Sequence, residues 1–357
     1  MRYFYLFFTA FLIINGVILA KPTMEITDMQ KIVQKDENEI DLTAVSLSIS
    51  KILNPDLDVS YYEEYISKVA ATIKQKIQKE TNPKKKMGIF TSILHNIYGF
   101  TTPDKPSEVT GPEYGMIDFV LKEKKGNCLG LVTLYLIIAD KLNLPIKAQT
   151  IHSHILLVYD DGKTKFYIET TTLGSIHDNL GYIKSHGKGL SLEKIGGRDL
   201  QPFGKKKLIA DLFYNLGLIL DKKGYIDKSI EAYKMALKFN NNHDDAYRAW
   251  GDALNQKRDY KNAIDKFKNA ISINPNNDAA YTNMGLALSN LKRFKEAISK
   301  FEIASRLNPN NAYTYLNWGI ALLCIGEYNE AKMKLNRAKD LDPNLTLNVE
   351  RLMKLME

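Results

Sequence analysis

The sequence predicts an α+β domain followed by an all-α solenoid of repeats. The solenoid is indicated by Gly217, Gly251, Gly285 and Gly319, which stand 34 residues apart. A fixed period of this length is typical of stacked helical repeats. The α+β domain is indicated by an apolar stretch over 128–142, followed by two β-rich runs around an Asp-Gly turn. We therefore expect binding in about the last two fifths of the chain and any chemistry upstream of it.

The N-terminal residues 1–20 predict a secretory signal peptide. Arg2 precedes an apolar run over 3–20, and a candidate cleavage point lies between Ala20 and Lys21. The run is close to the length that spans a bilayer, so an uncleaved membrane anchor is the alternative. We accordingly expect an exported protein of the periplasm or cell envelope, either free or anchored by residues 3–20. A polar arm is predicted over residues 21–42.

Composition limits the classes of partner. Hydrophobic residues make up 45% of the chain and charged residues 25%, which favours a folded protein over a disordered one. The formal net charge is +8, but the lysines are scattered and do not alternate with aromatic residues as in a single-strand binding groove. We interpret the charge as a solvated surface and expect no nucleic-acid partner. Attraction to an anionic membrane or cell-wall polymer stays open.

The upstream domain is predicted over residues 43–185. Two helices are expected between Leu42 and Lys79, with a break at Asn54-Pro55-Asp56, and another over Met87–Tyr98 after a loop at Pro83–Lys86. A long irregular loop over 99–116 and a short helix over 116–122 come next. A buried helix is then predicted over 128–142, because Gly126-Asn127 is a start signal and Asn143 and Pro145 end the apolar stretch.

Cys128 is the candidate nucleophile, because it lies in the first turn of that predicted helix behind Asn127 as the cap. Free N–H groups and the positive end of the helix dipole favour a thiolate there. The same N–H groups, including that of Cys128, could bind an oxyanion. The alternative is a small buried cysteine that packs the helix start. The other cysteine, Cys324, lies in the repeat region, so we expect no disulfide between the two.

The Asp-Gly hairpin predicts a base and an acid for this cysteine. If the turn is centred between Asp161 and Gly162, then His154 faces Glu169 across the two strands. Direct cross-strand neighbours have Cβ atoms about 5 Å apart. The carboxylate would orient the imidazole, and the imidazole could take the thiol proton. Cys128, His154 and Glu169 would then form the arrangement that thiol acyl chemistry needs.

His152 is the main competitor to His154, since it lies on the same strand face. In the predicted register it faces Thr171, which supplies no charge, so His154 is preferred. A zinc site fits poorly, because the two histidines have no second ligand pair at a usual spacing. We expect neither a metal nor a cofactor.

Several segments together resemble the transglutaminase-like superfamily, which has a papain-like cysteine chemistry. They are Gly126-Asn127-Cys128-Leu129-Gly130-Leu131, the helix end Leu142–Pro145, the strand His154–Val158 and the strand Phe166–Thr170. The resemblance covers roughly residues 45–180 and is greatest for the bacterial subgroup that joins this domain to tetratricopeptide repeats. It implies a nucleophile at Cys128, a base at His154 and an acid at Glu169.

The sequence departs from the family pattern at three places. The acid is commonly an aspartate, whereas Glu169 is longer by a methylene. Leu156 stands where an aromatic residue is common. No glutamine shortly before Cys128 completes an oxyanion hole, and Lys122 occupies that neighbourhood, so the second oxyanion donor is unassigned.

The C-terminal region resembles tetratricopeptide repeats through its aromatic, glycine, alanine and proline positions. A connector over 186–209 is predicted to lead into four units and a capping helix, namely 210–243, 244–277, 278–311, 312–345 and 346–357. The aromatic residues are expected to pack between helices. Peptide binding is predicted for polar residues of the concave face, namely Arg248, Asp252, Asn255, Thr282, Asn283 and Asn290.

The repeat family's basic clamp for a chaperone C-terminal carboxylate is disfavoured, because Tyr214, Leu218 and Leu286 occupy the matching places. An extended or helical peptide is the expected ligand. Two functions follow for the whole chain. The first is an exported thiol hydrolase or acyltransferase that acts on an amide or ester, with repeats that recruit the target. The second is a protein-interaction scaffold whose transglutaminase-like module is inert.

Overall fold

The computed structural model describes residues 26–103, 111–151, 154–178 and 201–354. Two compact units divide between Asn215 and Leu216. The predicted signal peptide or anchor over residues 1–20 lies outside the described residues. Within the described ranges, no helix combines the length and the apolar character needed to cross a bilayer.

Helices dominate the upstream unit, and polar caps explain where several of them begin. The carboxylates of Asp41 and Asp58 accept hydrogen bonds from the third N–H group after them, at 3.1 and 3.0 Å. The helices are α1 (Ile26–Val33), α2 (Leu42–Leu53), α3 (Val59–Ile77), α4 (Pro83–Ser92), α5 (Ile117–Glu123) and α6 (Cys128–Lys141). A π-turn over Ile93–Ile97 continues α4, and 3-10 turns cover Glu37–Glu39 and Pro112–Gly115.

The start of α4 corrects the predicted loop at Pro83–Lys86. The side chain of Asn82 accepts a hydrogen bond from the N–H of Lys85 at 3.1 Å, so it caps a helix that begins at Pro83. Proline is favoured at the first helical position, where its missing N–H costs nothing. The prediction treated Pro83 as a breaker, although in this position it starts the helix.

The segment predicted as a polar arm over 21–42 is ordered where it is described. It contains α1 and the 3-10 turn, and the side chains of Met29 and Ile40 are 1% and 2% exposed. Two apolar residues in a polar stretch are enough to attach it to the core, which composition alone did not indicate.

A five-stranded antiparallel sheet follows α6. Its strands are β1 (Ile146–Ile151), β2 (His154–Asp160), β3 (Lys165–Glu169), β4 (Ser175–His177) and β5 (Pro202–Phe203), in the order β4-β3-β2-β1-β5. The β-rich run over 146–159 is therefore two strands, with Ile151 paired to His154. No glycine, proline or asparagine marks this reversal in the sequence. His152, the predicted competitor of His154, lies outside the described residues.

The register of the β2–β3 hairpin differs from the prediction by two residues. Asp160 pairs with Lys165 and Leu157 with Ile168, so the loop has four residues, 161–164. The carboxylate of Asp161 stabilises this wider loop by accepting hydrogen bonds from the N–H groups of Lys163 and Thr164 at 2.9 and 2.7 Å. Because side chains alternate with a period of two, His154 and Glu169 still share one face of the sheet.

The repeat region consists of paired antiparallel helices. They are α7 (Lys205–Lys222), α8 (Ile226–Phe239), α9 (Asp244–Gln256), α10 (Tyr260–Ile273), α11 (Asp278–Asn290), α12 (Phe294–Leu307), α13 (Ala312–Cys324), α14 (Tyr328–Leu341) and the last helix α15 (Thr346–Met353). Helix α7 starts inside the predicted connector over 186–209. At this start the Lys205 amine contacts the carbonyl of Ile40 and the carboxylate of Asp140, at 2.8 Å each.

The 34-residue glycine period has a steric cause. A Cβ atom added at Gly217 would lie 2.3 Å from the ring of Tyr233. At Gly251 it would lie 2.5 Å from the ring of Phe267. Only glycine lets the second helix of each unit place its large side chain this close to the first helix. The period therefore records a helix-to-helix contact.

Candidate active site

The start of α6 places Cys128 at the surface of the upstream domain. The side chain of Asn127 caps the helix by accepting a hydrogen bond from the N–H of Gly130 at 3.0 Å, as the sequence predicts. A Cβ atom at Gly130 would lie 2.3 Å from the carbonyl oxygen of Tyr114. The second glycine of the Gly-Asn-Cys-Leu-Gly string thus lets the 3-10 turn approach the helix start.

Cys128 is a partly exposed free thiol. Its side chain is close enough to the His154 imidazole to raise the pKa of that ring. No hydrogen bond involving the Cys128 N–H is found among the described residues, which leaves this donor for a ligand. The positive end of the α6 dipole lies at the same point.

His154 and Glu169 form a close pair. The Nε2 atom of His154 lies 2.6 Å from Oε2 of Glu169. The two residues are diagonal rather than direct neighbours, because the observed register, when continued, places Thr171 opposite His154. The extra methylene of a glutamate, compared with aspartate, supplies reach across this diagonal. Since Glu169 occupies Nε2, the other ring nitrogen, Nδ1, is left for the thiol.

Glu169 is held by Thr171, which the predicted register places opposite His152. The N–H and Oγ1 of Thr171 donate hydrogen bonds to Oε1 of Glu169 at 2.9 and 2.6 Å. Burial raises the pKa of Glu169, but the hydrogen bonds and charge of His154 and the bonds from Thr171 outweigh it, so the pKa is lowered overall. The lowered pKa keeps Glu169 ionised at neutral pH, and its side chain, which is only 9% exposed, is held in place by these bonds.

Burial and hydrogen bonding also have opposite effects on the pKa of His154. Burial lowers its pKa, yet hydrogen bonds and negative charge from Cys128 and Glu169 prevail and raise it to about 10. The imidazole is 40% exposed, so solvent reaches the side of the pair away from Glu169. The raised pKa favours a protonated His154 ring at neutral pH.

Behind the site lies a buried pair, His95 and Tyr135, for which the sequence predicts no role. His95, in the π-turn, donates from Nδ1 to the carbonyl of Phe100 and accepts at Nε2 from the hydroxyl of Tyr135, 2.5 Å away. Burial lowers the pKa of His95, so the ring is neutral. Burial and the charge of Glu169 raise the pKa of Tyr135. The spacing of Cys128 and Tyr135, two turns apart on α6, is the only sequence signal for this pair.

Four of the six residues predicted to bind peptide in the repeat array form one hydrogen-bond network. Arg248 Nη1 and Asn283 Nδ2 donate to the two carboxylate oxygens of Asp252 at 2.8 and 2.6 Å. Asn255 Nδ2 donates to the Asn283 carbonyl at 3.4 Å. Burial raises the pKa of Asp252 to about 6, although Arg248 and Asn283 lower it.

The other two predicted residues lie outside this network. Thr282 is 5% exposed, and its hydroxyl bonds to Asp278 and Thr314 at 3.0 and 2.8 Å. It therefore packs neighbouring helices together and does not face a ligand, which corrects the prediction. Asn290 is exposed and donates to the Leu286 carbonyl of its own helix at 3.0 Å.

Family models match both parts of the chain. Transglutaminase-like superfamily is matched over residues 60–207. Tetratricopeptide repeat is matched over residues 210–243 and 278–311, and TPR repeat over 251–292. Among curated proteins, none matches the chain.

Solved structures of MamA are similar to part of the chain. One crystal structure of MamA has 23% identity and a TM-score of 0.36, and covers 38% of this chain and 79% of that chain. MamA 41-end from Desulfovibrio magneticus RS-1 has 22% identity and a TM-score of 0.39, with 41% and 82% covered. The family matches and the fold together show that the chain joins a transglutaminase-like domain to tetratricopeptide repeats, a combination that provides a protein-interaction module.

Proposed function

We propose that the upstream domain is a thiol hydrolase or acyltransferase that acts on an amide or ester of a peptide or cell-envelope target. The observation that carries the proposal is the close pair of His154 and Glu169, with Cys128 near enough to raise the pKa of His154, at the capped start of a helix. A nucleophile, a base and an orienting acid in contact are the parts that acyl transfer through a thiol needs.

The reaction follows from these positions. The sulfur of Cys128 attacks the carbonyl carbon, a C–S bond forms, and the carbonyl π electrons move to oxygen, where the Cys128 N–H donates to the oxyanion. The electrons return, the C–N or C–O bond breaks, and protonated His154 gives its proton to the leaving amine or alcohol. Water or an amine then attacks the thioester and loses a proton to His154, and Cys128 is released as thiolate.

Alkylation kinetics test whether the thiol is activated. Iodoacetamide labelling is followed against pH by peptide mass spectrometry, with the exposed Cys324 as the reference thiol of the same chain. We expect Cys128 to react at pH 6 at least about tenfold faster than Cys324, because the imidazolium stabilises its thiolate. His154→Ala should remove this excess.

Comparison with Cys324 also defines the result that would contradict the proposal. A Cys128 rate that rises with pH in parallel with the Cys324 rate would contradict the proposal, as would no labelling of Cys128 in the folded protein. Either result favours the second candidate, an inert module beside a binding array. The labelling of Cys324 should not change in His154→Ala, which shows that the effect is confined to Cys128, and an unchanged Tm controls for unfolding.

We also propose that the repeats bind a peptide or protein through the network of Arg248, Asp252, Asn255 and Asn283, with the exposed Asn290, on the same helix as Asn283, as a further contact. The network supports this proposal because its polar groups lie on the first helices of successive units, where such arrays bind extended or helical ligands. In a pull-down from envelope extract, Arg248→Ala with Asn283→Ala should release proteins that the wild-type chain retains. Lys268→Ala, on an exposed position of α10, is the matched control. Equal retention by both would contradict the proposal.

Export is proposed from residues 1–20 alone. Secretion with cleavage after Ala20 predicts a mature chain that starts at Lys21, whereas an anchor predicts a membrane-bound chain that keeps Met1. Sequencing of the N-terminus from fractionated cells distinguishes the two, and recovery of the chain from the cytoplasmic fraction contradicts both.

A further inference from the structure

The turns that join the first to the second helix of the first three repeat units carry exposed basic side chains. These turns lie at equivalent positions of the 34-residue period. Equivalent turns of a stacked array lie on the same side of it, so their side chains form one surface. We call this surface the basic edge, and its exposed cations are Lys222, Lys223, Lys257, Arg258, Lys292 and Arg293.

Contacts between two of these turns show that they are adjacent. The Nε2 atom of Gln256 donates a hydrogen bond to the carboxylate of Asp221 at 3.0 Å. The Lys257 amine contacts the carboxylate of Asp227. Both contacts join the turn of the second unit to the turn of the first unit, so the cations of successive units lie side by side.

Four of the six cations have no acid to neutralise them. Lys257 pairs with Asp227, and Arg293 pairs with Glu296 at 2.7 Å. The negative end of each first helix favours a cation nearby, but it does not require two cations at each turn. Like charges held together without acids repel one another. No hydrogen bond or ion pair with any residue that the structure describes is made by the side chains of Lys222, Lys223, Arg258 and Lys292.

The backbone at two of these cations is strained. Arg258 and Lys292 have φ angles of 62° and 61°, in the left-handed region that residues other than glycine disfavour. Gly224 and Gly326 occupy the equivalent position in the first and fourth units. A Cβ atom at either glycine would meet nothing within 4 Å, so the cost of a side chain there lies in the backbone alone. The two middle units thus carry a cation where glycine is less strained, which indicates a role outside the fold.

Exposed tyrosines flank the basic edge. Tyr225 and Tyr328 are each 54% exposed, and they follow the turns of the first and fourth units. The Lys228 amine lies 5.5 Å from the ring centre of Tyr225. Tyrosine accompanies lysine and arginine where proteins meet lipid headgroups, because its ring is apolar and its hydroxyl group is polar. A soluble polyanion would use the cations alone, so the tyrosines favour a membrane surface.

We propose that the basic edge binds a membrane surface rich in anionic lipid. The unpaired cations approach the lipid phosphates, and Tyr225 and Tyr328 enter the headgroup layer. The contact is peripheral and separate from residues 1–20. It uses neither the candidate thiol site nor the network around Asp252, so it goes beyond the functions proposed above and does not depend on them.

Vesicle flotation of the full chain tests the proposal. Vesicles of phosphatidylcholine alone are compared with vesicles in which about a third of the lipid is phosphatidylglycerol. We expect binding at least about tenfold tighter to the anionic vesicles. This preference should disappear in about 1 M salt, where the Debye length is only about 3 Å.

Arg258→Gly combined with Lys292→Gly should reduce the preference for anionic vesicles at least about tenfold, because each unpaired cation near the surface adds to the attraction. The Tm of this double variant should be unchanged or higher, because glycine relieves the strained φ angles. The charge is therefore removed without loss of the fold.

Lys238→Ala combined with Arg306→Ala is the matched control. It removes the same net charge from exposed positions in the last turns of α8 and α12. These helices have 14 residues each, so the control positions lie about 20 Å from the basic edge, about two Debye lengths at physiological salt. We expect the preference for anionic vesicles to stay within about twofold of wild type.

Three results would overturn the proposal. Equal binding of the wild-type chain to both kinds of vesicle would leave residues 1–20 as the candidate membrane contact. An equal loss in the two double variants would show that net charge acts without regard to position. Binding of inorganic polyphosphate by a chain that does not bind anionic vesicles would identify a soluble polyanion as the ligand of the basic edge.

Discussion

The repeat array and the upstream domain differ in how often each contact is made. Gly251 and Gly285 each receive the ring of a phenylalanine sixteen residues later, so one contact recurs from unit to unit. Cys128, His154 and Glu169 have no such copies. A repeated contact leaves a period in the sequence, whereas a contact made once leaves only the identities of two residues that lie far apart in the chain.

The difference also separates two kinds of vulnerability. Loss of a repeated contact should cost stability in one part of an array whose other units persist. Loss of a single contact at the candidate site should cost chemistry and leave the fold intact. Substitutions in the two regions should therefore separate loss of chemistry from loss of stability, with the largest effect expected at the candidate site.

Glu169→Gln should produce the largest effect, a loss of acylation on the order of 10³–10⁴-fold. The amide oxygen would take the place of Oε1, because two donors of Thr171 point there. The NH₂ group would then donate to Nε2 of His154 and put the ring proton on Nδ1, so that the ring could not accept the thiol proton.

Two measurements check this prediction. The rate of p-nitrophenolate release from p-nitrophenyl acetate gives the loss of acylation. NMR titration of His154 should show that its pKa falls from about 10, since the charge of Glu169 raises that pKa. An unchanged Tm would confirm that the fold survives. A His154 pKa that stays near 10 in the variant would contradict the assigned role of Glu169.

Gly251→Ala should destabilise the array by about 1–3 kcal/mol, as overpacking does. The new Cβ atom would lie 2.5 Å from the ring of Phe267. Gly88→Ala in α4 is the matched control, because nothing lies within 4 Å of the added atom. There we expect a gain of up to about 1 kcal/mol from helix propensity. Denaturant unfolding measures both, and equal effects would contradict the steric origin of the period.

Thr171→Val should lower acylation about tenfold, less than Glu169→Gln does. The variant removes the hydroxyl that donates to Glu169 at 2.6 Å but keeps the backbone donor at 2.9 Å. Hydrogen bonds to charged groups contribute about 1.5–3 kcal/mol. The rate of p-nitrophenolate release measures acylation, and iodoacetamide labelling measures the reactivity of the Cys128 thiol. A wild-type acylation rate would show that the backbone donor alone holds Glu169 in place.

Asp252→Asn should have the smallest effect on stability, a change in its pH dependence. Burial raises the pKa of Asp252 to about 6, so between its ordinary value of 3.8 and 6 the folded chain keeps a proton that the unfolded chain releases. Wild-type stability should therefore fall as pH rises from about 4 to 6, relative to the variant. We expect a difference of roughly a few degrees in Tm. Parallel Tm profiles would contradict it.

The sequence predicts the array far better than the sheet. Four copies of one glycine fix the repeats, and the cap Asn127 fixes the start of α6, because each signal is local. The reversal between Ile151 and His154 has no typical turn residue, so the sequence predicts one β-rich run where the structure has two strands. The hairpin register was wrong by two residues, because the side-chain bonds of Asp161 that widen the loop depend on the folded loop.

For the candidate site, residue types were predictable and supporting contacts were not. Asp-Gly between β-rich runs brought His154 and Glu169 to one face. The donation of Thr171 to Glu169 is local, but it depends on the 3-10 turn that follows β3. The pair of His95 and Tyr135 depends on packing between segments that are distant in the sequence. Burial of Thr282 depends likewise on the neighbouring unit, through Thr314.

The four-residue loop over 161–164 has a consequence for how this domain can vary. The side chains of β3 hold its register, because Phe166 and Ile168 are 0% exposed and a one-residue slip would bring them to the opposite face. Such a slip would also turn Glu169 away from His154. Residues added to the loop should therefore lengthen the turn without separating the acid from the imidazole, so this exposed turn can vary in length.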